Sequence, residues 1–138
     1  WTPPCREEVR ALVIDGDPLH AADLARIAAR SKQLDFTFSV RRRLPEDAAE
    51  LLPGGYDLIL LEYWYGTETC VPFLHALTAL RGPPCVVLTG LDEPDIRRVV
   101  FRAGAEAFLS KDSLSPQALE SVTLTVLRAR RPERLALD

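Results

Sequence analysis

The sequence predicts an α/β fold, a doubly wound parallel sheet of five strands with helices on both faces. Three observations lead there. Short apolar runs alternate with helix-period segments along the whole chain. Two of the runs, 58–61 (LILL) and 85–88 (CVVL), are wholly apolar, as central parallel strands buried on both faces are. The length, 138 residues with 47% hydrophobic and 27% charged, suits one compact domain. Strict strand–helix alternation closes into such a sheet through right-handed crossovers.

The first strand is read at 9–14 (VRALVI), ended by Asp15-Gly16-Asp17-Pro18, a turn followed by a helix start. Pro18 suits a first helical turn, where no N–H partner is needed. Leu19, Ala22 and Ile27 then mark one apolar face of a helix to about residue 30. Residues 35–40 (DFTFSV) alternate polar and apolar, as a half-exposed edge strand does. A short helix is expected over 45–52, stopped by Pro53-Gly54-Gly55. After the third strand, 63–70 reads as irregular, and a helix follows over 71–80. The fourth strand at 85–88 leads to a helix over 93–103 with Ile96, Val99 and Val100 inward, capped by Gly104. A fifth strand at 107–109 precedes a helix from Ser115 to about Arg131, carrying Leu119, Val122 and Val126 on one face. Pro132 is expected to stop or bend it.

Composition narrows the function classes. Net charge is −3, which does not suggest a nucleic-acid-binding surface. No stretch approaches the roughly 20 apolar residues that cross a bilayer, and no basic-then-apolar leader opens the sequence, so a cytoplasmic setting is expected. The absence of Met and the start at Trp1 suggest a piece of something longer. Only Lys32 and Lys111 are lysines among 17 basic residues, an arginine bias that fits a GC-rich bacterial gene. Cys5, Cys70 and Cys85 are odd in number and widely spaced; they are read as free thiols, with Cys85 in strand core.

In parallel sheets, functional groups gather at the carboxyl ends of the strands. Just past those ends lie Asp15, Gly16 and Asp17 after the first strand, Glu62 after the third, Thr89 and Gly90 after the fourth, and Ser110 and Lys111 after the fifth. Three acids, the Thr89 hydroxyl and a rare lysine thus share one rim with Ser110. No glycine-rich phosphate loop accompanies them. His20 and His75 are read as lying away from this rim, which leaves no nucleophile–base pair and argues against an independent enzyme.

With these residues, the sequence resembles the receiver domain of two-component response regulators across 6–131. The matching stretches are LVIDGDPL (12–19), YDLILLEYW (56–64), VVLTG (86–90) and RAGAEAFLSKD (102–112). The resemblance implies a flavodoxin/CheY-like three-layer (βα)5 fold with strand order 2-1-3-4-5. It also implies a tail at 1–5, and at 132–138 a tail or linker to an unseen output domain. In that family an Asp at the third strand's end accepts a phosphoryl group from a histidine kinase. Acids after the first strand, together with that Asp and a backbone carbonyl two residues on, organise Mg²⁺. A Thr or Ser and a Lys hold the phosphoryl oxygens. Such chemistry is mostly positioning and electrostatics.

Carried over by position, Asp15 matches the first acid, Thr89 the hydroxyl, Lys111 the lysine, Phe108 the aromatic switch and Trp64 the metal-binding carbonyl. Two positions depart. Gly16 stands where a metal-binding acid belongs, with Asp17 one residue further on. Glu62 stands where the acceptor Asp belongs, moving the carboxylate outward by about 1.5 Å, one C–C bond. A misplacement of ~1 Å in a nucleophile costs about a hundredfold in rate.

The reading is therefore a degenerate receiver, not an enzyme, which takes up no phosphate and binds Mg²⁺ weakly or not at all. A Glu62–Lys111 ion pair is expected, leaving the domain either held in something like the phosphorylated arrangement or merely inert. No other cofactor is expected. The implied partners are proteins: an output domain, a histidine kinase, or a second copy through the fourth helix, fifth strand and fifth helix. On that face lie Arg97, Arg98, Arg102 and Arg128. The run Arg41-Arg42-Arg43 is read as an exposed turn. Two alternatives stay open: a working phosphoacceptor at Glu62 or through an unorthodox metal shell, and a small-molecule sensor using an acid–aromatic pocket near Tyr63, Trp64 and Tyr65.

Overall fold

The strand Leu58–Glu62 (β3) sets the plan, because four successive apolar residues need cover on both sides. In the computed structural model, which describes residues 6–90 and 94–137 with side chains up to residue 130, β3 lies at the centre of a parallel sheet. Its neighbours are β1 (Glu7–Ile14) and β6 (Cys85–Thr89); β2 (Leu34–Arg41) and β7 (Ala107–Ser110) form the edges. The order β2-β1-β3-β6-β7 is the expected 2-1-3-4-5 once the two short strands of a separate hairpin are left out.

Alternation of side chains divides the core in two. Leu12, Ile14, Ile59, Leu61 and Val87 face α2 (Val71–Ala79) and α3 (Pro94–Ala103), meeting Leu74, Leu77, Ile96 and Val100. Val13, Leu58, Leu60, Val86 and Leu88 face α1 (Pro18–Ala28) and α4 (Pro116–Leu137), meeting Leu24, Ala28, Leu119 and Val126. Register aligns the carboxyl ends: Ile14 pairs with Leu61, Glu62 with Leu88, and Thr89 with Ser110. The residues just beyond therefore share one rim.

Several local expectations are corrected. The helix expected over 45–52 is a 3-10 turn, Ala48–Gly54, with the Asp47 side chain accepting from Ala49 N and Gly55 closing it at φ 65°. Pro53 inside so short a segment leaves too few residues for an α-helical nucleus. The irregular stretch contains a small hairpin, β4 (Trp64–Tyr65) against β5 (Glu68–Thr69), turning on Gly66 at φ 67°.

On α1 the buried stripe is Leu24 and Ala28; Leu19 is 71% exposed and Ala22 is also outside. On α3, Ile96 and Val100 point inward as expected, but Val99 is 40% exposed, one step of about 100° off the stripe. The last helix runs through Pro132 to Leu137, because a single lost backbone bond does not end a helix already nucleated over about four turns. Residue 93 and the tail at 1–5, including Cys5, lie outside the described residues.

Gly104 ends α3 at φ 116°, a conformation reserved for glycine, and a Cβ there would run into the Thr78 side chain. Cys70 and Cys85 are buried free thiols, and Cys85 lies in strand core as expected. Arg41, Arg42 and Arg43 are exposed where β2 ends. No described helix is long and apolar enough to cross a membrane.

Candidate functional site

Lys111 is the hub of the rim. It starts a 3-10 turn directly after β7, and its side chain is 19% exposed. Its Nζ makes a close ion pair with Glu62 Oε2, lies 3.2 Å from Asp15 Oδ2, and lies 2.7 Å from His20 Nδ1. The expected Glu62–Lys111 pair thus forms, and Asp15 shares the same ammonium. The side chains of Asp15 and Glu62 are only 12% and 14% exposed, so this is a partly buried triad rather than a solvated surface pair.

The remaining oxygens are held by backbone. Asp15 Oδ1 accepts from Asp17 N at 2.9 Å, and Glu62 Oε1 accepts from Tyr63 N at 2.9 Å. The Tyr65 hydroxyl donates to Ile14 O and accepts from Glu62 N at 3.0 Å, which ties the ends of β1 and β3 to the hairpin.

His20 corrects the sequence reading, which placed both histidines away from the rim. Pro18 opens α1, so His20 falls in its first turn, beside Asp15 and Asp17. The ammonium can only donate, so His20 Nδ1 is placed to accept from it, and Nε2 faces Asp17 Oδ2 at 3.5 Å. The spacing from the Asp17 cap was the available signal. His75 is exposed on α2, as expected of a residue off the rim.

The other expected residues fall as follows. Asp17 is the N-cap of α1, its carboxylate accepting from Leu19 N. Thr89 is buried at the end of β6. Phe108 is half-buried against the α2–α3 cluster with the Arg97 guanidinium 5.0 Å above its ring. Arg97, Arg98, Arg102 and Arg128 are all exposed, and Val99 and Phe101 lie exposed among the three on α3. Tyr63 is buried and meets Trp64 edge-on at 5.2 Å, leaving Trp64 46% exposed. The cleft that reaches Asp15 and Glu62 runs beneath α1, and Tyr63, Trp64 and Tyr65 are not among the residues that line it.

A divalent ion is what the resemblance to receiver domains implies for this rim. Among the described residues, Asp15, His20 and Glu62 bring possible ligand atoms within 4.8 Å of one another. Both carboxylates are already engaged by Lys111, and Gly16 offers no side-chain oxygen. Mg²⁺ favours an octahedral oxygen shell, and its affinity rises with carboxylate count. The residues as arranged do not fit it, because the ammonium occupies the electrostatic position a cation would take.

Burial also shapes the titration of this region. It pushes the Cys70 thiol up from 9.0 to about 12, and it raises the Cys85 thiol and the Tyr65 phenol as well. Each group stays protonated in the folded chain, while the unfolded chain releases its proton at the ordinary value. Their contribution to stability is full below about pH 9 and is lost as pH rises toward the folded values, at about 1.4 kcal/mol per pH unit for each group. We expect melting temperature to be level near neutrality and to fall steeply above about pH 9, with Cys70→Ala blunting the fall. A level profile to about pH 11 counts against this.

No family model and no curated protein matches the sequence. Solved structures do match. The signal receiver domain of the response regulator NarL from Mycobacterium tuberculosis is 24% identical, with TM-score 0.63 over 89% of this chain and 93% of that one. A CheY-like receiver domain protein from Methanospirillum hungatei is 17% identical, with TM-score 0.71 over 94% and 99%. A response regulator from Burkholderia pseudomallei, solved with a phosphorylated aspartic acid, a calcium ion and citrate, is 20% identical, with TM-score 0.69 over 93% and 71%. These similarities, together with the strand order and the shared rim, establish that the chain has the fold of response-regulator receiver domains.

Proposed function

We propose that this chain is a degenerate receiver of a bacterial two-component or phosphorelay system, acting in the cytoplasm by protein–protein contact rather than by accepting phosphate. The observation that carries the reading is the single ammonium of Lys111 shared by Glu62 and Asp15. In a working receiver that lysine meets a phosphoryl group; here the longer carboxylate of Glu62 reaches it unaided. The fold-mate from Burkholderia carries a phosphorylated aspartic acid, whereas β3 of this chain ends in Glu62. Thr89 and Phe108 are then held in one setting, and Mg²⁺ binds weakly or not at all.

The output face in this reading is the exposed α3 with its arginines, Val99 and Phe101, beside β7 and α4. An output domain, a kinase or a second copy would dock there. Aromatic and arginine side chains are favoured anchors for such contacts. The test is incubation with acetyl phosphate and Mg²⁺ followed by intact mass measurement. The expected result is an unchanged mass. A stoichiometric phosphoryl adduct on Glu62 would instead establish a working acceptor.

A further inference from the structure

A cleft of about 610 Å³ opens between α1 and the segment leading into α4. Its apolar lining is Val13, Leu24, Ile27, Leu60, Leu88 and Leu114, of which Ile27 and Leu114 are partly exposed and the others buried. These belong to the cluster beneath α1 and α4, whereas Tyr65 packs against the cluster on the opposite face of the sheet. The volume lies within the range of about 300–1,000 Å³ typical of small-molecule sites.

Charge along the cleft is uneven. At the rim end, Asp15 and Glu62 share one Lys111, leaving an excess of one negative charge. Asp23 and Arg26 of α1 neutralise each other in an ion pair. Arg30, exposed at the edge, has no carboxylate partner among the described residues. An anionic group is therefore repelled from the rim end and drawn to Arg30, while an apolar body is accommodated between them.

We propose that this cleft binds an amphipathic monoanion, an aliphatic or aryl carboxylate, with its body against Ile27 and Leu114 and its head at Arg30. Such a ligand abuts the Lys111 cluster from beneath, giving the chain an input other than phosphate. The proposal goes beyond the receiver reading and does not depend on it, since the wall and Arg30 take no part in phosphoryl chemistry.

The experiment titrates the full chain with sodium decanoate, decylamine and decanol, followed by calorimetry and methyl NMR. Decanoate is expected to bind saturably at one site, to move the methyl resonances of Ile27 and Leu114, and to outbind decylamine and decanol by about tenfold or more. Arg30→Glu, an exposed change that leaves the core intact, is expected to weaken decanoate by about tenfold and to favour decylamine. Ile27→Trp fills the cleft and abolishes binding; if that variant does not fold, Arg30→Glu decides. Unmoved methyl resonances at millimolar decanoate, equal binding of decylamine or decanol, or unchanged affinity in Arg30→Glu overturns the proposal. Intact mass after acetyl phosphate reads the receiver proposal separately, so either can fail alone.

Discussion

Glu62→Asp combined with Gly16→Asp is expected to turn the chain into a phosphoryl acceptor, with one adduct per chain after acetyl phosphate and Mg²⁺. Glu62→Asp alone is expected to give none. The first change withdraws the carboxylate by about 1.5 Å, releasing Lys111 and restoring the position from which an acceptor attacks. The second supplies the missing oxygen ligand, and hard-cation affinity follows ligand charge count. The site has room for it: a Cβ on Gly16 meets nothing nearer than Arg42 O at 3.7 Å. Intact mass of the three chains checks the prediction. A folded double variant that stays unmodified, or a single variant that is modified as fully, shows that the two departures are not what separates this chain from a working receiver.

The second large effect concerns stability. Lys111→Met leaves the carboxylates of Asp15 and Glu62 facing one another, largely out of water and without their cation. Removing one partner from a buried ionic cluster costs about 3 kcal/mol. For a domain of this size that is roughly a 10 °C fall in melting temperature. Adding Glu62→Gln removes one of the stranded charges, so the double variant is expected to be more stable than the sum of the single losses predicts, by about 1 kcal/mol or more. Thermal or urea unfolding of the four chains measures the coupling. Strict additivity sinks the view that Glu62 and Lys111 act as a unit.

Much of the architecture was legible because sheet geometry is strongly encoded. The apolar runs at 58–61 and 85–88 mark central strands, and parallel register then places Asp15, Glu62, Thr89 and Lys111 along one edge without further information. What escaped has physical causes. His20 reaches the rim through the rotational phase of the first helical turn, which the strand ends alone do not reveal. The β4–β5 hairpin has two residue pairs, too few for a period-two signal. Leu19 and Val99 look like core by composition, yet each lies one turn position away from the buried stripe. The cleft beneath α1 depends on how side chains from two helices and three strands fail to fill a space, and no local pattern records that.

The Tyr65 hydroxyl joins Ile14 O to Glu62 N, and the same hairpin carries the half-exposed indole of Trp64 one residue away. A shift of the backbone at residue 62 is thereby levered outward to a ring at the surface. Trp64 is thus placed as an optical gauge of the rim, its emission following any change in the grip of the lysine buried behind it.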